Sequence, residues 1–209
     1  CLKADEPVAF PDELTSLWPD KRDGRYLAMV AADGDGIGRL LADIPDETLY
    51  EQFSQRFSEL VVKSIASAAC AAKIFDERSL AKSGGIIPLM PIVAGGDDFS
   101  VLLRPKKALK FACELAAAFA DLSEHDPVVQ NVLAACLPGA SRLTLSVGLV
   151  ITKPYYPFSL MRRLAEQLRS NAKRGREPNG RGTIDFALIS SAGADTLAEL
   201  RRHYSGEHA

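Results

Sequence analysis

Cysteine is scarce and scattered in this chain. Cys1, Cys70, Cys113 and Cys136 include no C-x-x-C pair, which removes the usual ligand spacing of a zinc cage and the dense framework of a small disulfide-stapled fold. A reducing, cytosolic setting is the expectation. Long apolar runs are missing as well. None approaches the roughly 20 residues that a membrane-spanning helix needs, and the opening CLKADEPVAF lacks the basic-then-apolar order of a secretory signal. A cytoplasmic protein with no membrane partner is therefore expected. His125, His203 and His208 are the only histidines; they show no metal-ligand spacing and read as surface residues. The net charge is −2, so there is no strongly basic surface of the kind that grips duplex nucleic acid regardless of sequence. Beginning at Cys1 rather than methionine, the chain is expected to be a fragment or to carry an altered start.

What is present is an ordinary globular composition, 47% apolar and 25% charged over 209 residues. A domain of that length buries about 70% of the surface its unfolded chain exposes and needs no staples. Residues 1–24, rich in Pro and Asp, read as an irregular lead-in; 25–190 carry the alternation of apolar runs expected of one catalytic domain; 191–209 read as a terminal helix and tail. Charge is uneven. Arg162, Arg163, Arg169, Lys173, Arg174, Arg176 and Arg181 face only Glu166 and Glu177 between residues 162 and 181, an edge suited to phosphate or another polyanion.

The run YLAMVAA (26–32) is the kind of strand buried on both faces, and it ends in DGDGIG. From Asp46 to about Lys73, Leu49, Phe53, Phe57, Leu60, Val61, Ile65, Ala68, Ala69 and Ala72 recur at three- and four-residue steps, which predicts a long amphipathic helix. Ser83-Gly84-Gly85 closes the next loop. IIPLMPIVA (86–94) and FSVLL (99–103) then form a hairpin about Gly95–Asp98. Pro105 opens a second helix to about Ala120, an irregular stretch runs to Ser141, and LTLSVGLVIT (143–152) is a strand. Pro157 opens a third helix to about Lys173, and TIDFALI (183–189) is the last strand. This order predicts an α+β mixed sheet with helices packed on it.

Two acidic clusters sit at strand ends, Asp33-Gly34-Asp35-Gly36-Ile37-Gly38 and Gly95-Gly96-Asp97-Asp98. A sheet holds such carboxylates rigidly, and glycine beside them lets phosphates approach the backbone. Magnesium takes one or two carboxylates together with substrate phosphates and water, and two ions about 4 Å apart serve in-line phosphoryl displacement. The N–H groups from Gly34 to Gly38 lead into a helix and are placed to cradle a triphosphate. Each cluster alone is equally an ordinary Gly/Asp turn. Together, in apolar surroundings, four acids call for a neutralising cation. Lys173 ends the third helix, either to meet a β- or γ-phosphate or to complement the helix dipole; Arg174, Arg176 and Arg181 read as solvated. Ser146 in LTLSVG lacks the G-x-S-x-G setting of a nucleophile and is counted on the nucleotide-binding side.

In this order, DGDGIG after a buried strand, AGGDDFSVLL, LTLSVGLVI, a helix ending NAK, and TIDFALI resemble the palm of the large polymerase/cyclase subunit of type III CRISPR effector complexes, and more distantly GGDEF diguanylate cyclases. The resemblance covers roughly residues 25–190. It implies a ferredoxin-like palm, a βαββαβ core with an added helix and strand. The implied nucleotidyltransferase converts ATP or another triphosphate into a cyclic oligoadenylate or cyclic dinucleotide with release of pyrophosphate, in anti-phage defence. Asp33, Asp97 and Asp98 match the family's metal-binding acids for Mg²⁺ or Mn²⁺, with two ions expected. Gly95 and Gly96 match its close-approach glycines, Lys173 its phosphate-contacting lysine, and Asp35 a second acid without a fixed role. The chain has room for one palm where the CRISPR subunit carries two, which points to a stand-alone minimal enzyme or an excised domain, a homodimer, and a defence-system effector or activator as partner. A catalytically idle nucleotide-binding palm is the competing reading; a template-directed polymerase fragment ranks below it, since no thumb or fingers domain fits in the remaining length.

Overall fold

Eight residues, Leu27–Gly34, form the strand on which the rest of the molecule is built (β1). All but Asp33 are buried, as expected for an apolar segment covered on both faces. A computed structural model of the chain describes residues 10–17, 26–75, 86–96, 98–176, 180–190, 196–199 and 201. The remainder of the lead-in, the Ser83-Gly84-Gly85 loop, Asp97, Glu177, His203 and His208 lie outside these residues.

After β1 come a short helix α1 (Ile37–Ala42) and the long α2 (Glu47–Ala71). Strands β2 (Leu89–Gly95) and β3 (Asp98–Leu103) follow. Next are α3 (Pro105–His125), α4 (Pro127–Cys136), β4 (Leu145–Thr152), α5 (Phe158–Arg174) and β5 (Thr183–Leu188). The sheet order is β2-β3-β1-β4-β5. β1 runs antiparallel to both β3 and β4, whereas β4 and β5 are parallel. β1, α2, β2, β3, α3 and β4 make the βαββαβ core of an α+β fold, α5 and β5 are the added helix and strand, and α1 and α4 are short further helices.

The region after Ala120 differs from the irregular stretch expected there. α3 continues to His125, and a new helix starts at Pro127. The carboxylate of Asp126 accepts hydrogen bonds from the N–H groups of Val128 and Val129 at 3.0 and 3.2 Å. Asp-Pro is here a cap followed by a first-turn proline, which starts a helix rather than breaking one. Asp46 caps α2 in the same way, accepting from the Leu49 N–H at 2.8 Å; such a cap is worth about 1 kcal/mol.

Two apolar layers flank the sheet. On one face Ala28, Val30, Ala32, Phe99, Val101, Leu145 and Val147 pack with Phe53 and Phe57 of α2 and Phe111, Leu115 and Phe119 of α3. The rings of Phe57 and Phe119 meet edge to face, 5.7 Å between centroids. The other face is covered by α5, where Met161, Leu164, Ala165 and Leu168 meet Met29, Ala31, Leu102 and Val150. Gly148 of β4 makes that contact close: a Cβ added there would lie 2.1 Å from the Ala165 carbonyl oxygen and 2.5 Å from the Arg169 backbone nitrogen. Among the described residues no helix is long and apolar enough to cross a membrane.

Gly148→Ala is expected to force α5 off the sheet and cost about 1–3 kcal/mol, the range for overpacking a filled interior. A fall in the urea midpoint of unfolding measures it; an unchanged midpoint would show that the α5–β4 contact gives way freely.

Candidate active site

The hydrogen-bond register carries the two acidic clusters to one end of the sheet. Gly95 lies opposite Asp98, Asp98 opposite Asp33, Asp33 opposite Ser146, and Ser146 beside Thr183. Directly opposed residues of neighbouring strands share a face and stand about 5 Å apart at their Cβ atoms. Asp33 is the penultimate residue of β1 rather than the first beyond it, and its side chain is only 14% exposed; that of Asp98 is 56% exposed. The β2–β3 turn needs a glycine at Gly96, whose φ of 61° lies in the left-handed region.

The last turns of α5 bring cations onto the pair. Nη1 of Arg169 lies 2.8 Å from Oδ1 of Asp33 and 3.6 Å from Oδ1 of Asp98. Nζ of Lys173 donates to Oδ2 of Asp33 at 2.6 Å. Lys173, expected to meet a phosphate or to complement the helix dipole, is here paired with Asp33. Arg169, one turn earlier on the same flank, does more, since its one guanidinium nitrogen serves both carboxylates. The spacing of Arg169 and Lys173, four residues apart, was the available signal. Arg174 and Arg176 are exposed, and Arg181 makes only a 3.7 Å approach to Asp121 between exposed side chains.

Asp35 and Ser146 stand behind this cluster. Ser146 is fully buried and donates to Oδ1 of Asp35 at 2.6 Å; Thr144 donates to Oδ2 at 2.7 Å. The Asp35 N–H itself donates to the Thr144 carbonyl at 2.9 Å. With both carboxylate oxygens so engaged, Asp35 ties the end of β1 to the start of β4. Ile37 is buried in the core against α2, so its side chain does not line the site. Gly34 pairs with Leu145 inside the sheet. Of the N–H groups from Gly34 to Gly38, those of Gly36, Ile37 and Gly38 are left at the open first turn of α1.

Asp33 and Asp98 offer hard oxygen donors, and among the described residues no group of three or more His, Cys, Asp or Glu side chains comes together. A pair of carboxylates fits a magnesium or manganese ion that takes its other ligands from substrate phosphate and water; it does not fit a closed zinc cage.

The Cas10/Cmr2 second palm domain family matches residues 26–182 of this chain. The chain belongs to that family. At family level this palm is nucleotide cyclase-like, and the matched span contains Gly95, Asp98, Asp33 and Ser146 of the row together with Arg169 and Lys173. No curated protein matches the sequence. Solved structures similar to the palm include the coiled coil and GGDEF domain of DgcB from Caulobacter crescentus, in complex with c-di-GMP, at 17% identity over 86% of this chain and 82% of that one, with a TM-score of 0.50. The active GGEEF domain of a diguanylate cyclase from Vibrio cholerae is 15% identical over 85% and 92%, with a TM-score of 0.48. At these identities the DgcB likeness is one of fold.

Ser146→Ala is expected to lower the stability of the palm by about 1.5–3 kcal/mol, the range for a hydrogen bond to a charged group. A double-mutant cycle with Asp35→Asn, followed by urea unfolding, reads the coupling. Additive losses would show that the two side chains do not act as one tie.

Proposed function

We propose that this palm is a metal-dependent nucleotidyltransferase that converts ATP, or another nucleoside triphosphate, into a cyclic oligonucleotide or cyclic dinucleotide. In each step a ribose hydroxyl of one nucleotide attacks the α-phosphorus of another, the bond to the β-phosphate oxygen breaks, pyrophosphate leaves, and the hydroxyl proton passes to solvent. The observation that carries the reading is the apposition of Asp33 and Asp98 across β1 and β3 at an open sheet end, with Arg169 and Lys173 beside them.

Asp33 and Asp98, with Asp97 of the same cluster, would hold one or two Mg²⁺ or Mn²⁺ ions. Such ions neutralise charge on the transferring phosphoryl group and its leaving oxygen. The protein's own contribution is position. β1 and β3 fix the carboxylates, and the Asp35 tie fixes the turn at which the N–H groups of Gly36 to Gly38 meet phosphate. Gly95 and Gly96 add no side chains of their own to the hairpin end where a nucleotide approaches. Lys173, half-exposed on the rim, exchanges its partner Asp33 for the β- or γ-phosphate and offsets charge on the departing pyrophosphate.

A single carboxylate row serves one triphosphate, so joining two nucleotides calls for a second palm facing the first; we infer a homodimer as the working unit. Product made in the cytoplasm would act on a defence-system effector against phage, a role that follows by analogy with the family alone. A nucleotide-binding palm without turnover is the second reading, and the engagement of both Asp33 oxygens by side-chain cations favours it.

Purified protein incubated with each triphosphate and Mg²⁺ or Mn²⁺ is expected to yield a cyclic product identified by mass spectrometry. Asp98→Asn is expected to lower the yield by at least about 100-fold, as loss of a single group that stabilises developing charge does. Its unfolding midpoint should not fall, because one of two facing like charges is removed. Full product formation by Asp98→Asn would sink the assignment, and tight ATP binding without pyrophosphate release would establish the second reading.

A further inference from the structure

Asp33 and Asp98 face each other across one antiparallel pair, and like charges so placed destabilise a sheet. Asp33 is largely withdrawn from water, with 14% of its side chain exposed, so little solvent screens it. The molecule meets that cost with its own cations. Arg169 contributes one nitrogen shared between the two carboxylates, and Lys173 covers the remaining oxygen of Asp33. A divalent ion ligated by Asp33 would crowd a third cation onto that carboxylate, and the repulsion favours departure of one of the two.

We propose that Arg169 is a resident counter-ion that competes with divalent cations for the Asp33–Asp98 pair, so that loading the site requires its guanidinium to leave. This rests on the metal-binding reading above and adds to it a barrier within the protein. Arg169, not Lys173, is the competitor for three reasons. It alone of the two touches both acids. Its side chain is 21% exposed against 43% for Lys173, so departure means crossing from a mostly enclosed position into water. Its backbone is pressed against β4 at Gly148, which keeps the root of the side chain beside the acids whichever way the guanidinium turns. A planar fork of five donors also suits bridging two carboxylates better than a point-like ammonium.

When a binding-competent arrangement is only partly populated, apparent affinity falls in proportion to that fraction; a bridge formed about nine-tenths of the time weakens cation binding about tenfold. The test is a Mn²⁺ titration without nucleotide, followed by loss of the free-ion electron paramagnetic resonance signal, on wild type, R169M, R169K and D33N. R169M is expected to bind Mn²⁺ about tenfold more tightly than wild type, R169K to fall between them, and D33N to lose binding. In metal-free buffer R169M should melt lower than wild type, and Mg²⁺ should raise its melting temperature by more. If R169M does not fold, R169K carries the test in the same direction. Binding by the arginine variants as weak as, or weaker than, wild type, with D33N still inactive in binding, would overturn the competition and leave the metal site standing. Absence of Mn²⁺ binding in every variant would overturn both.

Discussion

Two carboxylates held opposite one another on adjacent strands repel, and the arrangement of this molecule around them follows from the need to neutralise that pair without moving it. The strands cannot relax, because β1 is hydrogen-bonded on both sides and its other side chains are core. Relief has to come from the face above the sheet, and α5 supplies it. A small residue at Gly148 lets α5 approach until Arg169 overlies the pair. An interaction of charge is thus made possible by a packing contact two strands away from Asp98.

The division of labour between the faces has the same origin. One is closed by α2, α3 and α4 over a continuous apolar layer rich in phenylalanine, which supplies most of the hydrophobic stabilisation of a domain this size. The other carries α5 as its main cover, with a smaller apolar cluster. Covering that face fully would bury the acids. Leaving it covered at one end and open at the other gives a rigid floor and an accessible rim in the same sheet.

Much of this was legible in the amino-acid order. Apolar runs of strand length placed all five strands to within a few residues, and the three- and four-residue recurrence from Leu49 to Ala72 placed α2, because burial on one or both faces leaves a periodic trace. Asp33 and Asp98 were legible as candidates because acid beside glycine at strand ends is an unusual concentration in apolar surroundings, and Lys173 because it ends a basic helix. The pairing partners were not. Arg169 sat in a basic stretch where only its four-residue spacing from Lys173 set it apart from Arg162 or Arg174, and which flank of a helix faces a site depends on how the helix is seated. Asp35 was read as a second acid without a fixed role, and its carboxylate is held by Thr144 and Ser146, more than a hundred residues on. Local pattern carries no information about that kind of contact. α4 was missed because Asp126-Pro127 spells both an interruption and a beginning, and only the apolar face of Val129, Val132 and Leu133 against the core decides between them.

The short hairpin between β2 and β3 acts as a ruler. Only two residues of sequence separate Gly95 from its partner Asp98, and side chains alternate strictly along a strand. Where a longer connection let β3 slip by one residue against β1, the alternation would turn over, sending Asp98 toward the phenylalanines and Phe99 to the opposite face. Length variation among palms of this kind is therefore expected to accumulate elsewhere, in connections such as that after α2, where added residues leave the parity of the acid-bearing strands untouched.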